Sequence, residues 1–131
     1  MTIGVLIVTH DKIGNALLET ATRMMGVCPV AIEVLSVQLD CVPEEMLAKA
    51  RRLITEIDDG DGVLVLTDIY GSTPANIAFK LQLEKPVTVI TGVNLPMLVR
   101  ILNYSSLSLD GIVEKAVSGG REGVFACTPT M

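Results

Sequence analysis

The sequence of 131 residues predicts an α/β fold with a doubly wound, mainly parallel sheet that has helices on both faces. Residues 2–10 and 62–67 are almost unbroken aliphatic runs, which are typical of strands buried on both faces of a parallel sheet. Segments with apolar residues at helical spacing separate these runs, as expected for βαβ units. Because 50% of the residues are apolar, this length predicts one domain over residues 1–131.

Strands and helices alternate along the chain. The predicted strands cover residues 2–10, 32–37, 62–67, 86–91 and 123–128. Five helices are predicted to begin close to Ile13, Pro43, Pro74, Asn94 and Ser108. Right-handed crossovers allow few strand orders, and the flavodoxin-like order places the first and third strands side by side.

Five residues carry signals for the ends of helices. Gly26 is placed to end the first helix, and Gly119 with Gly120 to end the last one. Asn94 and Ser108 are candidate N-caps. These signals predict helices of ordinary length separated by short turns.

The composition excludes several classes of function. The net charge of -5 and the scattered Lys and Arg residues argue against a nucleic-acid partner, which requires clustered positive charge. No apolar run approaches the roughly 20 residues of a membrane span, and no basic segment with a leader-like stretch opens the chain. We therefore expect no membrane insertion and a cytoplasmic protein.

The cysteines and one acidic loop also suggest metal sites, but weakly. Cys28, Cys41 and Cys127 are odd in number and lack C-x-x-C spacing, so we expect reduced thiols in the core. Residues 58–62, Asp-Asp-Gly-Asp-Gly, look like the start of a calcium loop but lack the Glu at the twelfth position. A helix-to-strand turn is the better interpretation, and no metal is predicted.

Two ionisable residues follow the two predicted central strands. The single histidine, His10, lies at the polar end of the first strand, and Asp68 directly follows the third. Ligands of open α/β sheets bind beyond the carboxyl ends of the strands, so both residues should flank one crevice. Each also has a structural interpretation, because a histidine after a strand can be idle and an aspartate there can simply stabilise a turn.

A glycine turn that opens a helix follows Asp68. Gly71, Ser72 and Thr73 precede Pro74, with Thr73 the expected N-cap and Pro74 at the first helical position. The free N–H groups of such a helix start can bind an anion. The same residues are also suited to an ordinary turn that binds nothing.

Together these residues favour phosphoryl transfer to histidine. In this hypothesis Asp68 accepts a hydrogen bond from one ring nitrogen of His10, and the other nitrogen attacks phosphorus. Gly71, Ser72 and Thr73 would bind the oxygens of the transferred group. This chemistry needs no cofactor and no metal.

Four sequence blocks resemble the IIA component of the mannose-class (mannose-fructose-sorbose) sugar phosphotransferase system, over essentially the whole chain. The blocks are Val-Thr-His at 8–10, Asp-Ile-Tyr-Gly-Ser-Thr-Pro-Ala-Asn at 68–76, Gly-Val-Asn-Leu-Pro-Met-Leu at 92–98 and Gly-Arg-Glu-Gly at 120–123. Their order along the chain matches the family, which makes the resemblance specific.

The resemblance implies a phosphotransferase component in which His10 takes a phosphoryl group from the phosphohistidine of HPr and passes it to a IIB component. It implies that Asp68 orients His10, and that Ser72 and Thr73 lie in the phosphate-binding turn. It further implies a homodimer in which the C-terminal strand, here residues 123–128, crosses to the partner as an antiparallel edge. Since many relatives continue into a IIB domain and this sequence ends at Met131, we expect a separate IIB protein.

Other functions remain possible at this point. The protein could be a regulatory phosphoprotein of an incomplete phosphotransferase system, or a phosphotransfer subunit of the dihydroxyacetone-kinase type. A receiver domain with Asp68 as phosphoacceptor would need further acids and a Lys that are missing at the expected places. A flavin-binding module of this topology would need a Ser/Thr-rich loop in place of residues 11–14, and aromatic walls.

Overall fold

A computed structural model describes residues 2–129. Residues 1, 130 and 131 of the predicted domain lie outside this range. The strands are β1 (Gly4–His10), β2 (Ala31–Val37), β3 (Val63–Thr67) and β4 (Val87–Ile90). The helices are α1 (Ile13–Met25), α2 (Pro43–Ile57), α3 (Thr73–Glu84), α4 (Leu95–Asn103) and α5 (Leu109–Glu122).

The four strands form one parallel sheet in the order β2-β1-β3-β4. β1 and β3 are hydrogen-bonded neighbours, with Val8 opposite Thr67 at their carboxyl ends. This confirms the predicted α/β class and the placing of the first and third strands side by side. β2 lies at one edge and β4 at the other.

Helices cover both faces of the sheet, which confirms the doubly wound architecture. On one face, Val5 and Ile7 of β1 pack in a cluster with residues of α1, α4 and α5. On the other face, Leu6 and Val8 pack in a cluster with residues of α2 and α3. Because side chains alternate along a strand, one aliphatic run supplies both clusters, and this is why β1 and β3 lack polar residues until their ends.

Most predicted helix signals are confirmed. Gly26 ends α1 in the left-handed conformation at φ 79°. Asn94 Oδ1 accepts a hydrogen bond from the N–H of Met97 at 2.9 Å, and Ser108 Oγ accepts one from the N–H of Gly111 at 3.4 Å.

The prediction that Gly119 and Gly120 end the last helix is wrong, because α5 continues to Glu122. Both glycines are buried against α4. A Cβ atom on Gly119 would lie 2.7 Å from Cβ of Arg100, and one on Gly120 would lie 2.9 Å from the methyl group of Met97. These glycines therefore permit close packing of two helices, and they do not act as a stop signal.

The predicted strand at 123–128 is not formed, because residues 124–128 adopt no regular structure in this single chain. An edge strand needs a hydrogen-bonding neighbour. The outer edge of β4 is its nearest candidate, and among residues 2–129 that edge has no partner strand.

The placing of the cysteines in the core is wrong for Cys28 and Cys127 and partly right for Cys41, which packs against a core cluster. Cys28 and Cys127 are exposed and Cys41 is half-buried, and all three thiols are free. Cys28 lies in the loop between α1 and β2, and Cys127 lies in the irregular C-terminal segment, so their apolar neighbours in sequence do not carry them into the core. Within residues 2–129, no helix combines the length and apolar character that crossing a membrane requires.

Close packing of α1 on the sheet depends on Gly14. A Cβ atom at this position would lie 2.9 Å from Ile7 Cγ2 and 3.0 Å from Val34 Cγ1. We expect Gly14→Ala to lower the free energy of unfolding by about 1–3 kcal/mol in urea titrations, because the added methyl group would displace Ile7, Val34 and the hydroxyl of Thr9. Thr20→Ala, at an exposed site of the same helix, is the matched control. A Gly14→Ala protein as stable as this control would contradict the packing.

Candidate functional site

The carboxyl edge of the sheet brings His10 and Asp68 into contact. His10 is the last residue of β1, and Asp68 follows the last residue of β3. Because the two strands are paired with Val8 opposite Thr67, the residues beyond that pair meet although they lie 58 positions apart in the sequence. The predicted meeting of the two side chains is confirmed.

A single carboxylate oxygen holds His10 at two points. Oδ2 of Asp68 accepts a hydrogen bond from the main-chain N–H of His10 at 2.9 Å and lies 2.8 Å from Nδ1 of its ring. Oδ1 accepts a hydrogen bond from the N–H of Ile69 at 3.0 Å. Since a carboxylate only accepts hydrogen bonds, Nδ1 carries the proton of a neutral ring and Nε2 carries the lone pair.

The two side chains differ in exposure. The side chain of His10 is 43% exposed, and that of Asp68 is 12% exposed. The carboxylate is thus largely buried, whereas part of the imidazole is open to solvent. This geometry leaves the ring accessible to a partner, and the hydrogen bond to Asp68 fixes its orientation.

The charge of Asp68 is favoured by its contacts. Burial acts to raise the pKa of this carboxyl, but hydrogen bonds from the main chain and the ring of His10, with a further one from the N–H of Ile69, outweigh it. The pKa of Asp68 therefore lies below its ordinary value. At neutral pH Asp68 is an anion that can stabilise positive charge on the ring of His10.

The turn between β3 and α3 contains the remaining predicted site residues. Gly71 has φ 80°, a conformation that residues with a side chain rarely adopt. Ser72 Oγ donates a hydrogen bond to the carbonyl of Ile69 at 2.7 Å, which closes the turn.

The prediction that Thr73 is the N-cap is wrong, because the N-cap of α3 is Ser72 and Thr73 is the first helical residue. The carbonyl of Ser72 accepts the first helical hydrogen bond, from Asn76 at 2.9 Å, whereas its side chain is held by the turn. Pro74 lies in the first turn at the second helical position, one residue later than predicted, because the helix begins at Thr73.

The start of α3 offers free donors near the site. The N–H groups of Thr73 and Ala75 precede the first intrahelical hydrogen bond, so the helix leaves them without an internal partner. Within residues 2–129, Gly71, Ser72 and Thr73 make no direct hydrogen bond to His10 or Asp68. The structure thus brings His10 and Asp68 together and places the turn at the same edge of the sheet.

Two residues that were not predicted from the sequence support the site. Thr9 is fully buried, and its hydroxyl accepts a hydrogen bond from the N–H of Gly14 at 2.8 Å, which anchors the start of α1. Asp11 adopts φ 42° directly after His10. The sequence signal for Thr9 was a polar residue within an aliphatic run. The signal for Asp11 was that aspartate tolerates the left-handed backbone conformation better than most residues.

Asp68 should contribute to stability in a pH-dependent way. The native pKa lies below the ordinary value of 3.8, so the ionised group stabilises the fold above that pH and loses its effect as the pH falls through the native pKa. We expect Asp68→Asn to lower the free energy of unfolding by about 1–3 kcal/mol at pH 7, and the difference from wild type to shrink in acid. Denaturant titrations at a series of pH values from 7 to 2 measure this difference in the free energy of unfolding.

Asp59→Asn, at an exposed carboxylate in the turn before β3, is the control for a general charge effect. A destabilisation by Asp68→Asn that stays constant down to pH 2 would contradict the lowered pKa.

Comparison with known protein families agrees with this architecture. The family model EIIA-man, described as "PTS system fructose IIA component", matches residues 4–117. The mannose-specific EIIAB component of Escherichia coli K12 is 37% identical over 134 residues, which cover 96% of this chain. This chain spans only 40% of the length of that relative.

Two further similarities are informative. The transcriptional regulatory protein LevR of Bacillus subtilis is 27% identical over 116 residues, covering 86% of this chain and 12% of LevR. A mannose/sorbose-specific IIA subunit from Enterococcus faecalis has the same fold, with a TM-score of 0.87 at 21% identity over 98% of this chain and 96% of that one. The match across residues 4–117 shows that the chain belongs to the EIIA-man family of sugar phosphotransferase system IIA components.

Proposed function

We propose that this protein is a phosphocarrier in which His10 accepts a phosphoryl group from phospho-HPr and donates it to a IIB component. The main support is that Oδ2 of Asp68 accepts hydrogen bonds from both the main-chain N–H and the ring of His10. It leaves Nε2 as the exposed nucleophile. Family membership supports the same role, because IIA components belong to the phosphotransferase system.

The reaction moves one phosphoryl group between two imidazole rings. The Nε2 lone pair of His10 forms the new N–P bond as the N–P bond to the donor ring breaks, and the electron pair returns to the donor. Positive charge develops on the ring of His10. The Asp68 carboxylate stabilises that charge through Nδ1–H at 2.8 Å, and its lowered pKa keeps it ionised.

The start of α3 is proposed to bind the oxygens of the transferred group. Thr73 can contribute its N–H and its hydroxyl, and Ser72 its N–H, since Ser72 Oγ already donates to Ile69. Gly71 gives the turn its left-handed step. The positive end of the helix dipole favours the added negative charge. The proposal includes no metal and no cofactor.

A homodimer is proposed as the working form. β4 is an edge strand, and a groove of about 680 Å³ beside it is lined by Val89, Val113 and Val124 among other residues. Val124 and Phe125, in the irregular C-terminal segment, are 74% and 64% exposed. An antiparallel strand from a second copy would pair with the edge and cover this apolar surface.

The dimer depends on the exposed apolar residues of the C-terminal segment. We expect wild-type protein to sediment as a dimer and Phe125→Glu to shift it to monomer in analytical ultracentrifugation, because a buried charge would be unpaired. Leu39→Glu, at a fully exposed residue after β2, is the matched control and should stay dimeric. A monomeric wild-type protein would contradict the proposal.

A regulatory role is the second candidate. The similarity to LevR, a transcriptional regulatory protein, favours a protein whose phosphorylation state is read by partners. The chemistry at His10 would be the same, but the phosphoryl group would not need to reach a sugar. A phosphotransfer subunit of the dihydroxyacetone-kinase type is less well supported, since the family match is to a sugar-specific IIA component. Transfer of the phosphoryl group from the labelled protein to purified IIB distinguishes the candidates, because only the phosphocarrier is expected to transfer it.

Phosphorylation of His10 is directly testable. With phosphoenolpyruvate, enzyme I and HPr, we expect wild-type protein to take up one label that is lost in acid and stable in base, as expected for a phosphohistidine. His10→Ala should take up none, because the nucleophile is removed. Incorporation of ³²P is the measurement.

Two outcomes separate this mechanism from its rivals. Label that survives His10→Ala would refute the proposal, and a base-labile label would indicate an acyl phosphate on aspartate. Asp68→Asn should retain labelling at a rate reduced about 10²-fold, because the ring loses its orienting anion.

A further inference from the structure

Thr67, the last residue of β3, carries the one buried side-chain oxygen or nitrogen in residues 2–129 that has no hydrogen-bond partner. Its side chain is fully buried, and the preceding residues of β3 are all Val or Leu. Thr9 is equally buried, but its hydroxyl accepts a hydrogen bond from Gly14. An unpaired hydroxyl is costly at a position where an isosteric Val would fit, so a partner is expected.

The hydroxyl lies on the side of the sheet that α3 covers. Thr67 is opposite Val8 in register, and Val8 and Val65 belong to the core cluster shared with α2 and α3. α3 packs on β1, β3 and β4, and its first turn includes the fully buried Ala75. Thr67 is on the same face of β3 as Val63 and Val65, and α3 begins six residues after it, at the same carboxyl end of the sheet.

We propose that one internal water molecule binds Thr67 Oγ1 and bridges it to main-chain polar groups at the start of α3. An internal water needs two to four polar partners. The hydroxyl supplies one, and the N–H of Ala75, which the helix leaves unpaired, is available as another, while the N–H of Thr73 stays free for the phosphoryl oxygens.

This bridge makes Thr67 a positioning residue for the turn that would bind the phosphoryl oxygens. Asp68 ties the start of this loop to β1 through His10, but the side-chain hydrogen bonds of residues 69–72 are the local ones from Ser72 to Ile69 and from Ile69 to Asp68. A water bridge would fix the position of this turn relative to β3. The kinetic consequence rests on the proposed phosphocarrier function, whereas the water bridge itself does not.

Two variants test the bridge. Thr67→Val removes the hydroxyl at constant shape, and Thr67→Ser keeps it. We expect amide hydrogen exchange in residues 71–76 to be about tenfold faster in Thr67→Val than in wild type, and phosphorylation by phospho-HPr to be about tenfold slower, as for the loss of one hydrogen bond. Thr67→Ser should stay within about twofold of wild type in both.

Three results would overturn the inference. Unchanged exchange with a raised Tm in Thr67→Val would show that the hydroxyl is unpaired in solution. An effect of Thr67→Ser as large as that of Thr67→Val would show that packing at this position, and not the hydroxyl, holds the turn. Loss of exchange protection without any change in the phosphorylation rate would show that Thr67 does not position the site. If wild type takes up no phosphoryl group, the phosphocarrier proposal fails, and the exchange data still decide whether the water is bound.

Discussion

The parallel pairing of β1 with β3 is the constraint on which the site depends. At the start of the pair, the N–H of Gly4 donates to the carbonyl of Gly62 at 3.0 Å. At the other end, the N–H of His10 donates to the side chain of Asp68 at 2.9 Å. A carboxylate thus accepts the last hydrogen bond that this side of β1 offers. The same oxygen also binds the ring, so one atom both extends the strand pairing by a hydrogen bond and orients the ring.

Because successive side chains of β1 point to opposite faces of the sheet, adjacent residues can have separate roles: one supports the fold, and the next provides the proposed chemistry. Thr9 points to the face covered by α1 and anchors Gly14, whereas His10 is the next residue and keeps 43% of its side chain exposed. Asp11 then turns the chain at φ 42°. Strained backbone beside a binding site persists only where its surroundings hold it, and here the hydrogen bond from Asp11 N–H to the carbonyl of Val37 does so at 3.1 Å.

Much of the fold and the contact between His10 and Asp68 could be predicted from the sequence, because aliphatic runs and the polar residues that end them are local signals. At Gly119 the role of the residue is set by a neighbour that is distant in sequence, whereas at Thr73 the helix begins one residue earlier than predicted. Gly119 looks like a helix stop but is required by Arg100 of α4, and Thr73 looks like a cap until Ser72 takes that position. The unpaired hydroxyl of Thr67 has no sequence signal, since Thr is common in strands.

The close packing of α4 on α5 links the interior of the fold to its exposed edge. Arg100 lies against Gly119 and pairs with Glu122 at 2.8 Å, and a Cβ atom on Gly123 would overlap Pro96. These contacts fix the direction in which the chain leaves α5, so Val124 is held beside the groove along β4. The edge strand β4 is separated from β1 by β3. Association through that edge would therefore leave the open ring of His10 uncovered, as the proposed transfer of a phosphoryl group between two partners requires.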